Sequence, residues 1–73
     1  MHPREVFADA LTDRAASIIV AHNHPSGLLV VSREDLLVTK RLKECGKLLG
    51  VELLDHVIIT NDRYLSMRDE GVF

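Results

Sequence analysis

Val6, Phe7, Ala10 and Leu11 recur at helical spacing, so Arg4–Asp13 reads as a helix with one apolar face. Pro3 suits its first position, where a nitrogen without a proton leaves nothing unsatisfied. His2 precedes this helix, in a solvated or capping role. From Ala15 to Ala21 the pattern changes to a short apolar run containing Ile18, Ile19 and Val20. That run predicts a strand buried on both faces, delivering His22 at its C-terminal end. Asn23–Val31 reads as a loop, because Pro25 and Gly27 stop the strand and fix a turn. Its Leu28-Leu29-Val30-Val31 segment should not be left in water. It is expected to cover a site, pack under the loop or meet another chain.

Ser32-Arg33-Glu34-Asp35 opens a second helix. Ser32 is a good N-cap, and Asp35 at the third helical position completes a capping box. The helix should run to about Leu49 with Val38, Leu42, Cys45 and Leu49 on one face. Gly50 then ends it. Gly46 in its interior costs stability, which suggests close packing there. Val51–Thr60 is a second apolar run and predicts a strand, broken by Asp55-His56. Asn61-Asp62 is a turn signal. Arg63–Ser66 predicts a short strand, and Met67–Gly71 a terminal turn.

Composition narrows the function classes. Seventy-three residues make one small domain. A core of this size is marginal without a metal, a partner or unusually good packing. The single Cys45 excludes an internal disulfide and a Cys-rich zinc finger. It fits a core position and a reducing cytoplasm, the expected location. The net charge of −2 argues against nucleic-acid binding, which leans on phosphate contacts. Lys40, Arg41, Lys43 and Lys47 are interrupted by Glu44 and read as the solvated face of a helix. No apolar run is long enough to span a membrane, and there is no signal-peptide pattern.

The chemistry concentrates between His22 and Asp35. Two histidines at i and i+2 in extended backbone point to one face. Asp35, at the start of the next element, can swing back over that face. Two imidazoles and a carboxylate match the three protein ligands of a catalytic zinc, leaving the fourth position for water, whose pKa zinc lowers to near neutrality. A bland reading stands beside this one: Ser32 and Asp35 form a cap, and His24 is a loop histidine. Ser26 is read as a turn residue in preference to a donor behind the ligands. Asp55-His56 is either a pair supporting the ligands from behind or a satisfied polar break in a strand.

His22-x-His24, seven residues, Ser32, two residues, Asp35 resembles the His/Ser/Asp part of the JAMM metalloprotease signature of JAB/MPN domains. Pro3-Arg4-Glu5-Val6, Ala21-His22-Asn23-His24-Pro25-Ser26-Gly27, Ser32-Arg33-Glu34-Asp35, Leu54-Asp55-His56 and Arg63-Tyr64-Leu65-Ser66 resemble the RadC family within that group. The resemblance covers essentially the whole chain. It implies an α/β, JAB/MPN-like (cytidine-deaminase-like) fold, in the order helix, strand, loop, helix, strand, strand. It implies zinc held by His22, His24 and Asp35, with Ser32 donating to a developing oxyanion. The implied reaction is hydrolysis of an amide or isopeptide bond in a peptide-like substrate. The DNA-repair label attached to the family name has no support in these residues.

Two departures stand out. The family places proline before the motif serine, where this chain has Val31. The family's general-base glutamate lies on a strand upstream of the first helix, and Glu5, Glu34, Glu44, Glu52 and Glu70 do not match that place. Residues 1–73 are therefore expected to be one partial domain lacking the N-terminal strands, weak or inactive by itself.

The rival readings are a non-catalytic remnant or interaction module, and a His-Asn-His nuclease. The literal His22-Asn23-His24 string does not support the nuclease, whose motif residues are dispersed along their chain. A sheet without its opening strands would expose an edge, which favours pairing with another copy. That edge and Leu28–Val31 predict self-association. Sedimentation at high concentration is expected to show dimers or larger species, and a clean, folded monomer would reject the idea.

Overall fold

A computed structural model describes residues 2–24 and 27–73. The elements are α1 (Pro3–Thr12), β1 (Ser17–Asn23), α2 (Arg33–Leu49), β2 (Glu52–Ile59) and β3 (Tyr64–Ser66). This is the expected order, with boundaries within two residues. The turn expected at Pro25 and the role of Ser26 lie outside the described residues.

Local chemistry sets the helix ends. The His2 ring accepts a hydrogen bond from the Arg4 N–H at 3.2 Å, so His2 caps α1, with Pro3 inside its first turn. In α2 the Asp35 N–H donates to Ser32 Oγ at 3.1 Å, while the Ser32 N–H donates to Asp35 Oδ2 at 2.9 Å. Both halves of the capping box are thus present. Gly50 ends α2 in the left-handed region, at φ 74°.

The three strands form a mixed sheet in the order β1-β2-β3. β1 and β2 are parallel, with α2 as the crossover, and β3 returns antiparallel to β2. The return is tight: the Thr60 N–H donates to the Arg63 carbonyl at 2.9 Å. The core joins Phe7 and Ala10 of α1, Val20 of β1, Leu42 of α2, and Val51 and Leu53 at the start of β2. Each fully buried side chain such as Leu42 or Ile58 contributes about 1.5–3 kcal/mol by leaving water.

Two expectations change here, and a third is narrowed. β1 is not buried on both faces. Val20 is buried and Ile18 and His22 half-buried, whereas Ser17, Ile19, Ala21 and Asn23 are exposed. Among the described residues both helices pack on one side of the sheet, so Ile19 on the other side stays 61% exposed. The inward face of α2 is also rotated from the expected one. Asp35, Thr39, Leu42 and Gly46 are its buried residues, Val38 and Cys45 flank them, and Leu49 is exposed. Finally, Leu28 and Val30 in the loop are exposed, with Leu29 and Val31 half-buried, so the segment is only partly covered by this chain.

Pairing on β2 is interrupted by a bulge. Ile18 faces Leu53 but Ile19 faces Asp55, leaving Leu54 as the extra residue. Side chains on a strand alternate, so without the bulge Leu53 and His56 would point to opposite faces. With it, Leu53, His56 and Ile58 are all buried on the covered side. Asp55 faces the other way. Its carboxylate accepts from Ser66 Oγ, and from the Arg68 N–H at 3.0 Å, tying the terminal turn to β2.

Gly46 is where α2 meets the start of β2. A Cβ there would collide with the Val51 carbonyl oxygen and touch the Phe7 ring. Alanine gains about 1 kcal/mol in helix propensity, but overpacking costs about 1–3 kcal/mol or more, and a backbone neighbour yields least. Gly46→Ala is expected to lose about 2 kcal/mol net, read from the urea midpoint.

Candidate metal centre

β1 carries His22 inward near its end, and His24 follows one residue beyond the strand. The His24 N–H donates to the Ile59 carbonyl at 3.0 Å, continuing the β1–β2 ladder past Asn23. The two rings therefore lie on the same side, with centroids 4.8 Å apart. The capping box turns the Asp35 carboxylate back toward them. His22 Nε2 is 3.0 Å from Asp35 Oδ1, and His24 Nε2 is 3.3 Å from Asp35 Oδ2. The two Nε2 atoms are 2.9 Å apart.

These three side chains form a cluster that could hold a metal ion, with one donor atom from each within 4.8 Å of the others. Around a tetrahedral ion with bonds of about 2.0–2.1 Å, ligand atoms sit about 3.3 Å from one another. The two Nε2 atoms, 2.9 Å apart, match that spacing to within half an ångström, and they lie 3.0 and 3.3 Å from different oxygens of the Asp35 carboxylate. The donor set fits a borderline-soft divalent ion with room for an exchangeable position.

Tautomers also favour a cation. His24 Nδ1 lies 3.2 Å from the Leu28 carbonyl, which can only accept. The neutral ring therefore carries its proton on Nδ1, with its Nε2 lone pair toward the site. Asp35 is buried, which alone would raise its pKa. The backbone and side-chain hydrogen bonds of Ser32, with the nearby His22 and His24, more than offset burial and hold the carboxyl below its ordinary value. It is an anion at neutral pH, ready to accept a cation.

Ser32 sits at the mouth of this cluster, on the exposed N-terminus of α2. Its Oγ accepts from the Asp35 N–H, which leaves the hydroxyl proton to donate elsewhere. The structure brings together His22, His24, Asp35 and Ser32, and adds two residues that sequence reasoning missed or left open. Thr39 gave no signal beyond its helical position. His56 was left between two readings and proves to lie behind His22, with its Nε2 2.7 Å from His22 Nδ1. A cavity of about 930 Å³ lies elsewhere along α2. Lys40, Lys43, Lys47, Glu44 and Arg68 line it, so it is a charged surface groove, and it includes none of the three cluster residues. No described helix is long and apolar enough to cross a membrane.

A small α/β unit with a His/His/Asp cluster between a strand end and a helix start is thus defined. Residues 1–72 match the RadC-like JAB domain, and the chain belongs to that family. It is 54% identical over 72 residues to a UPF0758 protein of Clostridium perfringens strain ATCC 13124, covering 99% of this chain and 32% of that relative. It is 55% identical over 71 residues to a UPF0758 protein of Clostridium botulinum strain Hall, covering 97% of this chain and 31% of that one. The chain therefore spans about a third of the length of these relatives.

Loss of one donor should empty a three-ligand site. After zinc loading and desalting, His24→Ala is expected to lose stoichiometric metal, while His2→Ala, which removes only a helix cap, retains it. Equal metal content in wild type and His24→Ala, measured by atomic emission, would dismiss the cluster as a metal centre.

Proposed function

We propose that this chain carries the metal-binding half of a JAMM-type zinc hydrolase acting on amide or isopeptide bonds of a peptide-like substrate. The observation that supports this most is the convergence of His22 Nε2, His24 Nε2 and the Asp35 carboxylate in a chain of the JAB family. Bound zinc would supply a Lewis acid and a water made acidic enough to attack near neutral pH.

The residues have separate tasks. His22 would offer an imidazole nitrogen from β1 and His24 another from just beyond its end. Asp35 offers the anionic donor, held from behind by the Ser32 N–H. The Ser32 hydroxyl would donate to the oxygen that gains charge as a carbonyl becomes tetrahedral. A base must take the proton of the attacking water, and an acid must return one to the leaving amine. The family's glutamate for that work has no counterpart in residues 1–73, so the bare chain should bind zinc yet turn over poorly. Absence of general acid–base help typically costs about a hundred- to ten-thousandfold.

The test compares amide cleavage by the 73-residue chain and by a longer protein in which the family's upstream strands and glutamate are joined to it. The longer protein is expected to cleave in a chelator-sensitive way, and glutamine in place of that glutamate should abolish cleavage. Ser32→Ala in the longer protein should cost about 1 kcal/mol of stability as a lost cap and also about a hundredfold in turnover. A zinc-loaded longer protein with no amide hydrolysis would sink the hydrolase reading. A bare chain as fast as the longer one would show that another residue serves as base, with Glu5 the first to replace. A second reading, an interaction module, draws support from Ile19, Leu28 and Val30, each more than 60% exposed.

A further inference from the structure

Behind the cluster lies a line of buried polar groups that the proposed chemistry leaves unused. It starts at the main-chain oxygen of Asp35. Thr39 Oγ1 is 2.7 Å from that oxygen. A carbonyl only accepts, so the hydroxyl must donate. A weaker acceptor, Met67 Sδ, lies farther off at 3.5 Å. With its one proton committed, Thr39 Oγ1 can only accept from His56 Nδ1, 2.5 Å away.

His56 is 1% exposed. Its ring nitrogens meet the Thr39 hydroxyl and the His22 ring, and a buried cation without an anionic partner is costly, so the ring is neutral and carries one proton. That proton sits on Nδ1, and Nε2 bears a lone pair. The lone pair faces His22 Nδ1 at 2.7 Å, which must therefore donate. The neutral His22 ring then keeps its lone pair on Nε2, aimed at His24 and Asp35. The direction matters because a competing pull is close by. Asp35 Oδ1 lies 3.0 Å from His22 Nε2, and a carboxylate would otherwise draw the ring proton to the atom a metal needs.

We propose that Thr39 and His56 are positioning residues for the metal centre: through a one-way chain of hydrogen bonds they fix His22 as its Nδ1–H tautomer and hold its ring with Nε2 toward the site. The proposal rests on reading the cluster as a metal centre, but its first consequence does not. His56 itself must be the Nδ1–H tautomer, with or without metal. Thr39→Val keeps the shape and removes the hydroxyl, so His56 loses the acceptor that defines its tautomer. Thr39→Ser keeps the hydroxyl.

Long-range ¹H–¹⁵N NMR spectra of histidine rings at about pH 8, well above the ordinary histidine pKa of about 6.5, read the tautomers directly. Wild type and Thr39→Ser are expected to show His56 protonated on Nδ1 with a lone pair on Nε2, and Thr39→Val to shift toward Nε2–H. Zinc affinity, measured by competition with a chromophoric chelator, should fall about 10–100-fold in Thr39→Val and His56→Leu. It should stay near wild type in Thr39→Ser and recover partly in His56→Gln, whose amide oxygen can accept from His22. Backbone spectra establish that each variant is folded, and Thr39→Val against Thr39→Ser decides the matter if His56→Leu is not. Wild-type His56 found as Nε2–H would overturn the proposal. So would a Thr39→Val protein with unchanged tautomer and zinc affinity. A wild type that binds no zinc while its His56 is Nδ1–H would instead count against the metal reading, and leave the hydrogen-bond chain established.

Discussion

Asp35 is asked to do several things with one residue, and the site depends on its doing all of them. Its N–H and Oδ2 close the capping box with Ser32 and so define where α2 begins. Its carboxylate faces His22 and His24. Its main-chain oxygen receives the Thr39 hydroxyl, from which hydrogen bonds run through His56 back to His22. The path thus closes on itself: it leaves Asp35 through the backbone and returns to it through the carboxylate. A small shift in the start of α2 would open this ring at two points. That explains why a capping box, ordinarily worth about 1 kcal/mol, is placed here and not at α1, where a single histidine nitrogen serves as cap.

The helix interface reads as one face with two chemistries. Asp35 and Thr39 are a turn apart, as are Leu42 and Gly46 farther along. In the first pair Thr39 meets His56, and the second meets Phe7 and the start of β2. Burying polar groups beside an apolar core is costly when any of them is left unpaired. Here the cost is avoided, since no buried side-chain nitrogen or oxygen among the described residues lacks a partner. Thr39 does this with one atom, donating to the preceding turn of its own helix and accepting from β2.

Much of this was legible in the sequence, and the parts that were not share a cause. Pro3, Ser32, Asp35 and Gly50 announce their helix ends through chemistry local to the chain. His22 and His24 share a face because any strand alternates. The face of α2 was misjudged because Thr39 is polar and Gly46 has no side chain. A hydrophobic count passes over both and settles on Val38, Cys45 and Leu49. β1 looked buried on both sides because Ile18, Ile19 and Val20 are all apolar, and composition cannot tell which side has a helix above it. His56 depends on the bulge at Leu54, where one extra residue decides whether it points with Leu53 or against it.

The bulge also explains the division of labour between the neighbours Asp55 and His56. Consecutive residues on a strand must face opposite ways, so only one of the pair can approach the cluster. If Asp55 faced inward, a second carboxylate would stand near Asp35, and each would raise the other's pKa. A proton would then be drawn toward the donors that a cation requires to be bare. With His56 inward the group behind His22 is neutral, and Asp55 spends its charge on Ser66 and the Arg68 backbone instead, which with burial offset leave its pKa lowered. The cluster keeps one anionic group and two imidazoles, the charge balance that suits a single divalent ion with an open position.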